Sequence, residues 1–220
     1  NISALQANRL STLCLAANMF DGPVEMSSLP RSVCKILIQE NQHVGTIDLK
    51  NLPNVLESLY LFDNFLCGTI NLTNLPHTLK DLRLHRNSFG GTLDLTQLPN
   101  SIETVFLNNN KFEGPVLFSN LPESIQFLQL QANSLTGVPK LTALPDSLLS
   151  INLAGNHFKG PISLVALPKG LKSLSIANNE IHQERVVIGR GIPEIDLRGN
   201  SIGGVFTSTG RKVTSTKLLC

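Results

Sequence analysis

Residues 52–74 read LPNVLESLYLFDNFLCGTINLTN, and this pattern returns along most of the chain. Asn64 belongs to a series, Asn18, Asn41, Asn64, Asn87, Asn110, Asn133, Asn156 and Asn179, that advances by 23 residues at each step, and Asn200 comes 21 further on. Leu-Pro pairs keep the same step, at Leu29-Pro30, Leu52-Pro53, Leu75-Pro76, Leu98-Pro99, Leu121-Pro122, Leu144-Pro145 and Leu167-Pro168. A fixed period of this length marks a repeat architecture and overrides local readings. One unit cannot bury its own leucines, but stacked copies bury them against one another in a continuous core.

Within the unit, Leu59 and Leu61 alternate with Tyr60, the period of two of a short, half-buried strand. Asn64 stands where the chain leaves that strand, and its amide can both donate to and accept from backbone groups that the turn leaves unpaired. Gly68 permits a backbone conformation closed to most residues, and Ile70 and Leu72 return along the opposite side facing inward. Pro53 precedes the strand, where a missing N–H is tolerated. About nine strands spaced ~4.7–4.9 Å apart predict an inner parallel sheet on the order of 40 Å long. Phe20, Phe89, Phe112 and Phe158, each two residues after a series asparagine, are expected as a stacked core spine.

The segments LYLFDNFLCGTI, LRLHRNSFGGTL, VFLNNNKFEGPV and INLAGNHFKGPI resemble leucine-rich repeats, whose consensus is LxxLxLxxNxL. The resemblance covers about residues 10–205. Its NxFxGxI half is similar to the plant-type subclass and its LPxSLxxL half to the bacterial one, a hybrid similar to repeats of kinetoplastid and other protist proteins. The resemblance implies a mostly β and irregular α/β-type solenoid, a right-handed horseshoe with a parallel concave sheet and short second strands or turns on the convex side. It also implies a protein that binds macromolecules and does not catalyse. Residues 1–205 are assigned to the array and 206–220 to a degenerate last repeat or cap. His43 replaces the usual Phe or Leu, Pro139 takes an inward Ile position, and Gln183 replaces a repeat glycine. The first unit begins mid-repeat at Asn1, so native sequence beyond one or both ends is expected.

The composition, 41% hydrophobic and 15% charged, argues for a buried core and against disorder. Eighteen Lys and Arg against 16 Asp and Glu leave +2, without the footprint that nucleic acid demands. No apolar run approaches the ~18–20 residues of a membrane-spanning helix. Cys14, Cys34, Cys67 and Cys220 are dispersed and form no CxxC, so neither a zinc site nor a redox pair is expected. Only Cys14 and Cys34 fall close enough for a bridge, and Cys67 reads as an exposed loop thiol. The dispersed thiols lean the compartment toward an intracellular one. Two glycosylation sequons occur, Asn1-Ile2-Ser3 and Asn71-Leu72-Thr73, with Asn71 expected to project outward. His77 and His157 fall at turn or loop positions and His182 in the degenerate unit, which leaves only His85 on the strand face. With no GxxxxGK[ST], GxSxG or HExxH motif, no catalytic residue, metal or cofactor is expected.

The register sorts the outward residues of the strands into columns. One runs Cys14, Leu37, Tyr60, Arg83, Phe106, Gln129, Asn152, Ser175, Asp196; the next runs Ala16, Gln39, Phe62, His85, Asn108, Gln131, Ala154, Ala177, Arg198. A third runs Ala17, Glu40, Asp63, Arg86, Asn109, Ala132, Gly155, Asn178, Gly199. Leu37, Tyr60, Phe62, Arg83, His85, Arg86, Phe106 and Gln129 cluster on consecutive units, where nothing in the repeat requires large side chains. Tyr and Arg are enriched at binding hot spots. These eight residues are the expected partner surface of a monomeric protein-recognition module. The opposing reading is that the aromatics only stack on one another to stabilise the sheet. Two other functions stay open: an adhesive surface or secreted protein contacting matrix or glycan, which glycosylation at Asn71 would favour, and a targeting domain of a larger enzyme.

Overall fold

A computed structural model describes residues 9–189, 194–214 and 218–219. Asn1, with its sequon, and Cys220 lie outside the described residues. The chain winds as a parallel-stranded solenoid. Thr12–Cys14, Lys35–Leu37, Ser58–Tyr60, Asp81–Arg83, Thr104–Phe106, Phe127–Gln129, Ser150–Asn152, Ser173–Ser175 and Glu194–Asp196 mark coils 1 to 9. They pair in chain order into one parallel sheet, which Leu218–Leu219 extends by a tenth strand. Coils 1 to 8 pair with a step of 23, as in Leu37 with Tyr60 and Tyr60 with Arg83. Between coils 8 and 9 the step shortens to 21, with Ser175 beside Asp196, matching the shorter interval from Asn179 to Asn200. Among the described residues, helix is confined to a 3-10 turn at Met26–Ser28.

The inward residue of each strand and the leucine two positions later form the core: Leu59, Leu61, Leu82, Leu84, Val105 and Leu107 are fully buried. Each such side chain contributes roughly 1.5–3 kcal/mol of transfer free energy. Ile70 and Leu72 close the far side, and Asn71 between them is exposed. Its Oδ1 accepts from the backbone N–H and the hydroxyl of Thr73, at 2.8 and 2.7 Å. Phe89, Phe112 and Phe158 are fully buried, but Phe20 is 45% exposed. Coil 1 is the first described, so no described coil covers the outer side of that ring.

Each interior asparagine of the series ties two coils together. Asn64 Nδ2 donates to the carbonyls of Leu61 and Phe62 in its own coil and of Ile38 in the coil before, and Oδ1 accepts from the N–H of His43. That last bond spans 21 residues, and it sets the register of a second parallel sheet. This sheet runs from Asp21–Gly22 through Gln42–Gly45, Phe65–Thr69, Ser88–Thr92, Lys111–Pro115 and Ser134–Gly137 to His157–Phe158, and it pairs with a step of 21, as in Cys67 with Ser88. Cys67 therefore lies on a strand, half-buried, and His157 also lies on a strand; neither sits in a loop. Gly68 has φ +80°, and a Cβ there would lie 2.7 Å from the Thr46 methyl, so stacking and conformation both exclude a side chain.

The residue before each asparagine takes the left-handed conformation: Ala17, Glu40, Asp63, Arg86, Asn109, Ala132 and Asn178 have φ between 51° and 57°, and Gly155 and Gly199 hold the same place. A second ladder is built from hydroxyls. Ser32, Thr78, Ser101, Ser124 and Ser147 donate to the carbonyls of Leu10, Leu56, Leu79, Ile102 and Ile125, each 22 residues back. Val55 interrupts it.

Cys14, Cys34 and Cys67 are free thiols. The Cys34 N–H donates to the carbonyl of Ser11, which puts Cys34 three residues out of step with Cys14. At ~3.3 Å per residue that is about 10 Å, beyond the ~7 Å a disulfide can span. His43 is buried at the inward position, with Nδ1 3.2 Å from the carbonyl of Gly22. Pro139 is buried as well. Gln183 clamps Ile162 from both sides, accepting from its N–H and donating to its carbonyl. Beyond residue 180 the second sheet gives way to two small two-stranded sheets, His182–Gln183 with Ser201–Ile202 and Val186–Ile188 with Val205–Thr207.

Candidate functional site

Pairing of coils 2 to 6 sets Leu37, Tyr60, Arg83, Phe106 and Gln129 side by side along the outward face of the ten-stranded sheet. Phe62 and His85 occupy the adjoining column. Their rings stack at 4.4 Å between centroids and 10° between planes. His85 meets Phe106 edge-on at 5.9 Å, and Tyr60 lies 6.2 Å from Phe62. The Arg83 guanidinium sits over Tyr60 at 4.7 Å and over Phe106 at 5.2 Å. Five planar groups on coils 3 to 5 thus form one layer, every member half-buried.

Asp81 holds the layer in place. Its Oδ2 accepts from the Tyr60 hydroxyl at 2.6 Å and from Arg83 Nη2 at 2.8 Å, and Oδ1 accepts from Arg83 Nε at 2.9 Å. Burial, then the bond to Asp81, then that carboxylate's charge push the Tyr60 phenol up to about 12, against a weaker pull from Arg83. The bond to Asp81 raises Arg83 above its ordinary value. The charges of Arg83 and Asp81 and the Tyr60 hydroxyl are therefore matched with one another, and the layer presents an aromatic surface with little free charge. Arg86 and Asp63 form a longer, exposed ion pair at 3.4 Å along its edge, worth little by itself.

Gln129 lies at the far border of the layer, where Nε2 donates to the Ser150 hydroxyl at 3.4 Å. Leu37 lies at the near border, half-buried between Cys14 and Tyr60. In coils 7 and 8 the same columns carry Asn152, Ala154, Ser175 and Ala177, which are small. The columns read from sequence omitted the outermost one, and with it Asp81 and Phe127, which is 36% exposed. The signal was present, because Asp81 is two residues before Arg83 and a period of two puts both on one face. Among the described residues, no three His, Cys, Asp or Glu side chains gather as a metal ion would require.

No family model and no curated protein sequence matches the chain. Solved structures do. The ectodomain of the Arabidopsis receptor kinase HAESA, in complex with an extended IDA peptide hormone, aligns with a TM-score of 0.64 at 22% identity, over 91% of this chain and 38% of that one. The plant peptide hormone receptor RGFR1, in complex with RGF2, aligns at 0.56 and 20% identity, over 90% and 44%. A plant ice-binding protein aligns at 0.61 and 16% identity, over 94% and 76%. The chain spans less than half the length of these two receptors. With the stacked parallel strands, the asparagine ladder and these alignments together, the chain has the leucine-rich-repeat fold.

Proposed function

We propose that this chain is a protein-recognition module that holds a macromolecular partner on the concave, ten-stranded sheet, chiefly across coils 2 to 6. One observation carries the reading: the aromatic layer of Tyr60, Phe62, Arg83, His85 and Phe106 faces away from the leucine core, on coils whose packing does not call for it. The stacking expected of a purely stabilising cluster is there, and it also pre-organises the surface. Side chains already fixed against one another lose little entropy when a partner lands on them. Two structures that share the fold hold peptide hormones, which supports a peptide or protein as the occupant.

Panning a displayed random-peptide library against the chain tests this. Enriched peptides are expected to lose at least about tenfold in affinity, or more than ~1 kcal/mol, with Phe62→Ala or Phe106→Ala. Ser175→Ala should leave them unchanged. Enriched peptides indifferent to Phe62 and Phe106 would refute the assignment of the surface.

A further inference from the structure

We infer that the aromatic layer carries a pH-operated latch at His85: it is assembled while the imidazole is neutral, and protonation drives the ring out of its stack on Phe62. The effect on binding rests on the layer being the recognition surface.

The geometry supplies the reason. His85 lies flat on Phe62 and edge-on to Phe106, and its Nδ1 is buried with no hydrogen-bond partner. A neutral ring can leave a bare lone pair at that atom. A protonated ring carries N–H on both nitrogens, so Nδ1 would become a charged donor facing nothing that accepts it. The attraction of an imidazolium for the Phe62 ring is weaker than the penalty for such a donor.

The charged neighbours do not rescue it. Arg83 and Arg86 stand on its own coil. On coil 3 the one carboxylate nearby, Asp63, is already paired with Arg86. Coil 5 offers Phe106, Asn108 and Asn109, all uncharged. Burial, opposed by Asp63 and reinforced by both arginines, holds the imidazole below its ordinary value. The unfolded chain therefore takes up this proton at a higher pH than the folded one. Stability of the stacked form rises with pH across that interval and falls as the medium is acidified through it.

The chain reports on the latch itself, because Tyr60 is its single tyrosine and it has no tryptophan. Emission from Tyr60 is expected to step reversibly on acidification, with a midpoint below that of an ordinary imidazole and the far-ultraviolet circular dichroism unchanged. His85→Phe, which keeps a ring on Phe62, should abolish the step; His43, His77, His157 and His182 remain in that variant as internal controls. In nuclear magnetic resonance, the His85 ring protons should leave their stacked shift over the same range. A step that persists in His85→Phe, or a His85 that titrates while its shift stays stacked, overturns the latch. A library-selected peptide should lose at least tenfold in affinity across the step in the wild type and be insensitive in His85→Phe. Indifference of that peptide to Phe106→Ala overturns the surface and leaves the latch standing, whereas a flat emission profile overturns the latch and leaves the surface standing.

Discussion

Asn133 and Asn18 hold the same place in the repeat, yet replacing each with alanine should have very different consequences. Asn133 is buried, with Nδ2 donating to the carbonyls of Leu107 at 3.2 Å and Leu130 at 3.0 Å, and Oδ1 accepting from the N–H of Phe112 at 3.1 Å. Alanine removes three hydrogen bonds where water has poor access: the Phe112 N–H is left without its acceptor, while the Leu107 and Leu130 carbonyls each keep one amide donor, from Asn110 and Asn156. With each lost bond worth about 1 kcal/mol, the loss is roughly 3 kcal/mol. Asn18 is exposed and donates only within its own coil, to Leu15 and Ala16. Water can replace those bonds, so its loss should stay under about 1 kcal/mol. Urea unfolding of both variants, compared at constant slope, measures the difference. Asn133→Asp separates hydrogen bonding from packing, since it keeps the size but removes the donor, and it should be at least as harmful as alanine. Equal shifts for Asn18→Ala and Asn133→Ala, or a near-native Asn133→Asp, would refute the account of how neighbouring coils are joined.

Ala132 and Gly155 occupy the left-handed position at φ 56° and 61°, so Ala132→Gly should stabilise by about 0.5–1 kcal/mol and Gly155→Ala destabilise by a similar amount, as calorimetry would show. Val55→Thr restores the missing rung of the hydroxyl ladder opposite the carbonyl of Val33, and should add about 1 kcal/mol in urea unfolding because Val55 is already 42% exposed and loses little burial. Absorbance titration of Tyr60 should find a midpoint near 12, and Asp81→Asn should bring it down toward the ordinary phenol value. Since the folded chain holds this proton more tightly than the unfolded one, the associated stability is present below the ordinary value and is lost as pH rises through about 12.

The strand register was open to reading because leucine alternation and the asparagine step are both dictated by stacking. Tyr60, Arg83 and Phe106 accordingly lie on one stripe, as their spacing requires. The second sheet was harder to read. Its step of 21 arises from a side-chain acceptor in the next coil, and no periodicity within a single coil encodes that. The left-handed residues were hidden because Glu40, Asp63 and Arg86 are not glycines, and it is the turn into the ladder that imposes their conformation. Asp81 and the hydroxyl ladder were legible in principle, through a period of two and through the recurrence of serine after Leu-Pro, but each takes its meaning only from a partner one coil away. Phe20 is the instructive exception: it fits the pattern of the buried phenylalanines, but burial of a ring in a stack depends on a neighbour on either side.

The backward reach of each ladder asparagine has a mechanical consequence. Pulled from the C-terminal end, the chain should yield in quanta, because a coil cannot detach without releasing at once its amide's grip on the coil beneath and the leucines it covers. From coil 8 inward each event would free 23 residues, about 76–83 Å of extended polypeptide. A force trace would then show a train of evenly spaced teeth, with the rhythm of the sequence written out as length.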